Sequence, residues 1–373
     1  MTTRAISGAH IFDGFTMHHD QALLLDGENF VGIGPIPDGC PVTKVASGTL
    51  APGFVDLQGN GGGGLRFNDA PTVTTLERIA AAHAATGTRA LLPTLITDTA
   101  QKTRTAVDAV EQAIAAGVPG IVGIHLEGPH LSVAKKGAHH ADLIRPMDHA
   151  DEAFLLTAAQ RLPNVMVTIA PETVAPKQIE RLAAAGIIVS LGHTDCTYAQ
   201  ARAAFAAGAC CVTHLFNAMS QMTAREPGLV GAALDANAVS AGLIADNIHV
   251  HASTMRTALS AKQDEDGIFL VTDAMATAGS EIAEFTLNGR KVQRAGGRLM
   301  LEDGTLAGAD LDFGSAIRTL VNYVNVPPAA ALRMATSTPA KQLPAPGAFG
   351  RFITGQTANA IHLDDRFVYL GPV

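Results

Sequence analysis

IIVSLGHTDCTYAQARAAFAAGACCVTHLF (187–216) holds one full period of the chain's architecture. Its first run, IIVSLGH (187–193), reads as a strand buried on both faces. An Ala-rich helical stretch follows and ends in AFAAG (204–208), where Gly just past a helix end accepts the left-handed cap. A second apolar run, CCVTHLF (210–216), starts the next period. The same alternation extends in both directions. Upstream runs are TLAPGFVDL (49–57), TRALLPTLI (88–96), IVGIHLEG (121–128) and VMVTIAPE (165–172); downstream are AGLIADNIH (241–249) and IFLVTDA (268–274). HAATG (83–87), AIAAG (113–117) and RLAAAG (181–186) repeat the helix-end signal. Eight such alternations predict an α/β fold, a TIM-like (β/α)8 barrel. A doubly wound open sheet would be expected to carry G-x-G-x-x-G after an early strand, and GNGGGG (59–64) does not match it.

The flanks read differently. QALLLDGENFVGIG (21–34) and ITGQTANAIHLDDRFVYLGPV (353–373) are short alternating runs broken by turn residues. They predict a small β-sandwich domain built from residues 1–50 and 341–373, with the catalytic barrel spanning 51–340. FTLNGRKVQRAGGRLMLEDGTL (285–306) reads as a β-hairpin insertion with turns at Asn288-Gly289 and Asp303-Gly304.

Composition bounds the function. The chain has 373 residues, 47% hydrophobic and 16% charged, so it can bury a large core and is not a disordered chain. The net charge of −8 argues against a nucleic-acid binder but not against a small anionic substrate held by a few local cations. Cys40, Cys196, Cys210 and Cys211 form no C-x-x-C pair, so neither a disulfide framework nor a zinc knuckle is expected. No signal peptide or membrane span is read, and a reduced cytoplasmic protein is the expectation.

The site is read from where polar residues fall. Gln58 and Asn60 follow strand one, Glu127 ends strand three, His193 strand five, His214 strand six and Asp273 strand eight. The C-terminal strand ends of a (β/α)8 barrel converge on one mouth. One carboxylate and two imidazoles, Glu127, His193 and His214, suit Zn²⁺ or a similar divalent ion with one position left open. Asp273 beside them could take a proton from an activated water and return it to a leaving group. Each residue also has a structural alternative. A lone His near a strand end is commonly a hydrogen-bonded structural residue, and Glu127 or Asp273 could cap the following helix. Four such residues on one rim weaken those alternatives together. His125 lies inside strand three and reads as core or as support for the site. His10, His18, His19, His83, His149 and His362 read as surface or packing residues.

Several longer motifs carry a resemblance. APGFVDLQGNG, GIHLEGPHLSVAKKGAHH, SLGHTDCTY, THLFNAMS, REPGLVG, LIADNIHVH, VTDAMATAG and GTLAGADLDF, spread over nearly the whole chain, resemble the N-acetylglucosamine-6-phosphate deacetylases of the amidohydrolase superfamily. The resemblance implies a metal-dependent hydrolase barrel that removes the acetyl group from N-acetylglucosamine 6-phosphate. It implies Glu127, His193 and His214 as metal ligands, Asp273 as catalytic acid/base, and His139 as a group polarising the acetyl carbonyl. Ala138, Asn217, Ala218, Asp246, Asn247, Ile248 and His249, with Leu306, Ala307 and Gly308, are implied around the sugar phosphate. Arg225 is implied as a phosphate ligand reaching across a homodimer interface; from the residues alone, a surface salt bridge with Glu226 reads equally well. Most of the superfamily carries His-x-His at the end of strand one for a second metal. Gln58 and Asn60 stand there instead, as possible vestigial second-metal positions, and VTIAPE lacks the superfamily's bridging lysine. Amides are poor zinc ligands, so one divalent ion per subunit, Zn²⁺ first among candidates, is expected. The alternatives are the epimeric N-acetylgalactosamine 6-phosphate as substrate, a different amidohydrolase reaction, and an inactive barrel acting as a scaffold.

Overall fold

The computed structural model describes residues 3–373, so Met1 and Thr2 of the expected 1–50 segment lie outside the described residues. Eight parallel strands pair in sequence order: β1 (Phe54–Gly59), β2 (Thr88–Ile96), β3 (Ile124–Glu127), β4 (Val165–Ile169), β5 (Ile188–Leu191), β6 (Cys211–Val212), β7 (Ser240–Leu243) and β8 (Ile268–Leu270). The seam between β8 and β1 closes through Asp273 N–H to Gln58 O (2.9 Å) and Asn60 N–H to Ala274 O (2.8 Å). Asp56, fully buried on β1, accepts hydrogen bonds across that seam from the Thr272 hydroxyl and from Thr272 N–H (3.3 Å). The result is the (β/α)8 barrel. Its outer layer is α1 (Val73–Ala84), α2 (Ala100–Ala115), α3 (His149–Arg161), α4 (Pro176–Ala184), α5 (Tyr198–Ala206), α6 (Gly228–Asp235), α7 (Ala252–Ala261) and α8 (Phe313–Thr319). Thr72, Thr99, Asp148 and Thr197 cap α1, α2, α3 and α5 by accepting first-turn N–H groups. The glycines read as helix stops, Gly87, Gly117, Gly186 and Gly208, all have left-handed backbone.

The strands are shorter than the apolar runs, for a local reason. His193, His214 and Asp273 take φ of 48°, 29° and 47°, so each leaves the ladder and turns inward over the mouth. Left-handed backbone at residues with a Cβ costs about 1–2 kcal/mol and persists only where surroundings enforce it. TLAPGFVDL also divides: Thr49–Pro52 pairs with Ala360–Leu363 in a terminal sheet, and only Phe54–Gly59 enters the barrel.

The terminal segments form two sheets. One joins Thr3–Ser7, Ala22–Asp26, Asn29–Gly34 and Val42–Lys44; the other joins His10–Phe12, Met17–His18, Thr49–Pro52, Ala360–Leu363 and Tyr369–Pro372. Ile6, Ile11, Leu23, Leu25, Phe30 and Leu50 form their shared core. The expected hairpin at 285–306 is instead a four-stranded antiparallel sheet, Glu284–Leu287, Arg290–Ala295, Arg298–Leu301 and Leu306–Ala309. Gly296 and Gly297, at φ 58° and 74°, supply a turn that the hairpin reading passed over. Leu287, Val292, Leu299, Leu301 and Ala307 pack with Ile96 and Met275 of the barrel rim, so the insert leans over the mouth. Among the described residues no helix is long and apolar enough to cross a membrane, and the four cysteines are unpaired.

Candidate active site

Two polar layers are stacked at the C-terminal end of the barrel. The lower one lies inside it. His125 Nδ1 meets Thr94 Oγ1 (3.2 Å), His125 Nε2 meets Thr168 Oγ1 (2.7 Å), and Thr213 Oγ1 lies 2.7 Å from both Thr168 Oγ1 and Ser190 Oγ. The Thr94 hydroxyl donates to Leu92 O (3.3 Å), which sets the direction of the whole chain. Thr94 then accepts from His125 Nδ1–H, and Nε2 accepts from Thr168, which accepts from Thr213, which accepts from Ser190. Burial, opposed by the Glu127 charge, pushes His125 down to about 4, so this layer is neutral at pH 7.

The upper layer carries the groups read from the sequence. Glu127 Oε1 lies 3.2 Å from His193 Nε2 and 3.1 Å from His214 Nε2, and the two Nε2 atoms are 3.1 Å apart. His193 Nδ1–H donates to Lys135 O (2.8 Å), which directs the Nε2 lone pair at the carboxylate. Negative charge and imidazole lone pairs thus converge on one point. Positive charge placed among them, as added protons or as a divalent ion, resolves the arrangement. Without an ion, burial works to raise Glu127, but the His193 and His214 rings beside it outweigh burial and hold the carboxyl well below the usual range. His214 Nδ1 is buried with no hydrogen-bond partner among the described residues. This donor set fits Zn²⁺ or a similar ion.

Several neighbours hold His193 in its strained backbone. Ser132 N–H donates to His193 O (2.8 Å), Thr194 N–H to Ala218 O (3.2 Å), and Asp195 N–H to Glu172 Oε1 (2.7 Å), while the Thr194 hydroxyl donates to Glu172. Gly192 lies so close that a Cβ there would come within 2.8 Å of Thr213 Cβ and 2.9 Å of Thr168 Cγ2. Glu172 follows β4 in the VTIAPE run, and sequence reasoning did not single it out. A carboxylate three residues past a strand end was the available signal.

His139 also reaches this centre. Ligand atoms of Glu127, His139 and His193 lie within 4.8 Å of one another. Its hydrogen bonds set it apart from His214. Nδ1 lies 2.8 Å from Thr97 Oγ1 and accepts from Thr97 N–H (3.4 Å), and the Thr97 hydroxyl is closer to Nδ1 than to Glu127 O (3.4 Å). With Nδ1 accepting, the ring proton sits on Nε2, which makes His139 a hydrogen-bond donor to the cavity rather than a ligand. Burial and the neighbouring His193 push it down to about 3, so it is neutral. Thr97 was missed in the sequence because a threonine at a loop start carries no distinguishing pattern.

Gln58 and Asn60 sit at the expected strand end, but their amides point at carboxylates. Asn60 Nδ2 donates to Asp273 Oδ1 (2.6 Å), and Gln58 Nε2 donates to Asp273 Oδ1 (3.1 Å) and Glu127 Oε1 (3.3 Å). These donors hold one oxygen of Asp273 and leave Oδ2 to the cavity. Burial, then the Glu127 charge, pushes Asp273 up to about 6. Neither Glu127 nor Asp273 caps a helix.

The cavity above measures about 420 Å³ and is lined by Asn60, Glu127, Lys135, Ala138, His139, His193, His214, Asn217, Ala218, His249 and Asp273, with Leu306, Ala307 and Gly308 from the insert. Its size suits a small ligand. His249 donates through Nδ1 to Asp246 Oδ2 (2.6 Å), and Asp246 Oδ1 accepts from Ile248 and His249 N–H groups (both 2.8 Å). Asp246 therefore supports His249 from behind. Asp246, Asn247 and Ile248 stand behind His249 rather than in the cavity lining, and Asn247 Oδ1 accepts from Ala252 N–H (2.8 Å) at the start of α7. Arg225 is exposed and lies outside the cavity of its own chain. The Glu226 pairing does not form: Glu226 Oε1 accepts from Tyr198 N–H (2.7 Å) and Gly228 N–H (2.9 Å), and Arg225 has no ion pair among the described residues.

With this geometry in hand, the chain can be compared with known proteins. Residues 49–372 match the amidohydrolase family. The chain is 45% identical, over 87% of its length and 82% of the relative's, to an N-acetylgalactosamine-6-phosphate deacetylase from a Shewanella species. It is 33% identical to the N-acetylglucosamine-6-phosphate deacetylase of Haemophilus influenzae, covering 99% of this chain and 97% of that one. The solved N-acetylglucosamine-6-phosphate deacetylase from Pasteurella multocida superposes with a TM-score of 0.94 at 33% identity, over 100% of this chain and 98% of that chain. A mutant deacetylase from Mycobacterium smegmatis, solved in complex with N-acetyl-D-glucosamine-6-phosphate, gives 0.91 at 30% identity over the same shares. This chain belongs to the amidohydrolase superfamily, in its N-acetylglucosamine-6-phosphate deacetylase family.

Proposed function

We propose that this enzyme hydrolyses the acetamide of N-acetyl-D-glucosamine 6-phosphate, releasing acetate and D-glucosamine 6-phosphate. The observation that carries this reading is the sharing of one 420 Å³ cavity by the Glu127–His193–His214 triangle, His139 Nε2 and Asp273. Those are the charge, donor and proton carrier that amide hydrolysis needs. Glu127, His193 and His214 would hold one divalent ion, which supplies Lewis-acid activation of water and of the amide carbonyl. Asp273 takes the proton of the attacking water at Oδ2, while Asn60 and Gln58 keep Oδ1 occupied. His139 Nε2–H donates to the oxygen on which charge develops as the carbonyl becomes tetrahedral. The carbon–nitrogen bond then breaks, and Asp273 returns the proton to the departing amine. His249, buttressed by Asp246, and the Asn217–Ala218 turn hold the sugar phosphate. Amide donors at Gln58 and Asn60 leave no second liganded ion in this reading.

Phosphate recognition by arginine goes through paired charge-assisted hydrogen bonds. Among the described residues no arginine lines the cavity and exposed Arg225 has no ion pair, which supports a homodimer in which Arg225 serves the neighbouring site. The unpaired cysteines support a cytoplasmic location. A second reading, the epimeric N-acetylgalactosamine 6-phosphate as substrate, is favoured by the 45% identity to the Shewanella enzyme.

Acetate release measured on both epimers, after chelation and after adding back single divalent ions, tests the function and ranks the two substrates. Activity insensitive to chelation would end the metal-dependent reading. Arg225→Ala should raise KM for the phosphorylated sugar by about tenfold or more with a smaller effect on kcat. Equal use of the unphosphorylated sugar would remove the phosphate assignment.

A further inference from the structure

The insert sheet also grips the loop that carries His139. Its first turn, Asn288-Gly289, has φ of 51° and 74°, as a tight two-residue hairpin turn requires. That turn places Asn288 Nδ2 3.2 Å and Arg290 Nη2 2.9 Å from one acceptor, the carbonyl oxygen of Ala138. The Ala138 side chain packs on the insert's own apolar core. Arg290 has no carboxylate partner within 4.0 Å among the described residues, so Ala138 O is its side chain's anchor. Ala138 stands between Lys135, whose carbonyl fixes His193, and His139, fixed at Nδ1 by Thr97. The short segment 135–139 is thus tied at three points, one of them supplied by a separate sheet.

We propose that Asn288 and Arg290 are positioning residues for deacetylation: they latch segment 135–139 to the insert and hold His139 Nε2–H at the reacting carbonyl. This inference rests on the hydrolase reading above. A catalytic group displaced by about 1 Å can cost up to about 10²-fold in rate. Asn288 and Arg290 do not themselves line the cavity that Ala138 and His139 share with Asn217, Ala218 and His249, so their loss acts more on kcat than on KM.

The test pairs Asn288→Asp with Arg290→Met. Asp-Gly makes the same turn but replaces a donor with an acceptor. In the full-length enzyme with its divalent ion, kcat should fall about tenfold with KM changed by less than about twofold. In a His139→Gln background the same pair should cost less than about twofold, because coupled residues are not additive. Arg290→Lys, which keeps a cationic donor, should recover most of the rate. Equal losses in both backgrounds, or an unchanged kcat, would overturn the latch. Hydrogen exchange needs no turnover: amides 135–139 should exchange faster in the paired variant, with 290–301 unchanged. Unchanged exchange at 135–139 also overturns the latch, whereas wild-type enzyme that releases no acetate overturns the functional reading. Should the paired variant fail to fold, Arg290→Met alone carries both measurements.

Discussion

The two polar layers of the barrel mouth sit one above the other and behave oppositely. In the lower, Thr94, His125, Thr168, Ser190 and Thr213 pass hydrogen bonds in one direction, and every buried group among them is satisfied. In the upper, His193, His214 and Asp273 have left-handed backbone, and His214 Nδ1 and Asn60 Oδ1 are buried without hydrogen-bond partners among the described residues. A satisfied layer is rigid and inert, while an unsatisfied one holds its strain ready for a ligand. The lower layer is the platform that lets the upper one remain frustrated.

The largest effect that separates the layers is Asp273→Asn. Turnover should fall by about 10³-fold or more while the divalent-ion content of purified protein stays at one per chain. Acetate release and elemental analysis measure the two, and a rate near wild type would place the proton carrier elsewhere. Thr168→Val attacks the platform instead. It removes the donor to His125 Nε2 and the acceptor for Thr213, leaving buried groups unpaired at a cost of about 1–3 kcal/mol. Thermal unfolding should register that loss, with kcat changed by less than about tenfold. A larger loss of rate than of stability would mean that the lower layer takes part in the chemistry.

A third contrast is in pH. Asp273 must be ionised to take a proton, and its carboxyl is pushed up to about 6, by burial first and the Glu127 charge second. A divalent ion held beside Asp273 opposes that rise, so kcat/KM of the metal-loaded enzyme should fall by about tenfold per pH unit on an acid limb at or below pH 6. His125, at about 4, stays neutral over the same range, so the platform adds no second limb there. The smallest expected effect is from Thr97→Val. His139 loses a hydroxyl donor at Nδ1 but keeps the Thr97 N–H, and kcat should drop by about tenfold or less. A steeper loss would show that the hydroxyl alone sets the His139 tautomer.

Much of this was legible in one dimension. Apolar runs, Ala-rich intervals and helix-end glycines repeat locally, and local repetition is what backbone geometry reads. Strand ends of a barrel share one rim, so Glu127, His193, His214 and Asp273 could be grouped before any coordinate was known. The turn at Gly296-Gly297 was equally local and was passed over, which left a hairpin where a four-stranded sheet stands.

The order of residues along the chain was enough for the barrel and for which polar side chains reach one rim. Folding in three dimensions settled what those groups are bonded to. The amides of Gln58 and Asn60 face Asp273, more than 200 residues away, rather than a metal. Thr97 sets the proton of His139 from 42 residues away, and Asn288 reaches Ala138 across 150. Hydrogen-bond direction depends on rotamer and approach angle to within a few tenths of an ångström, and sequence spacing carries no such information.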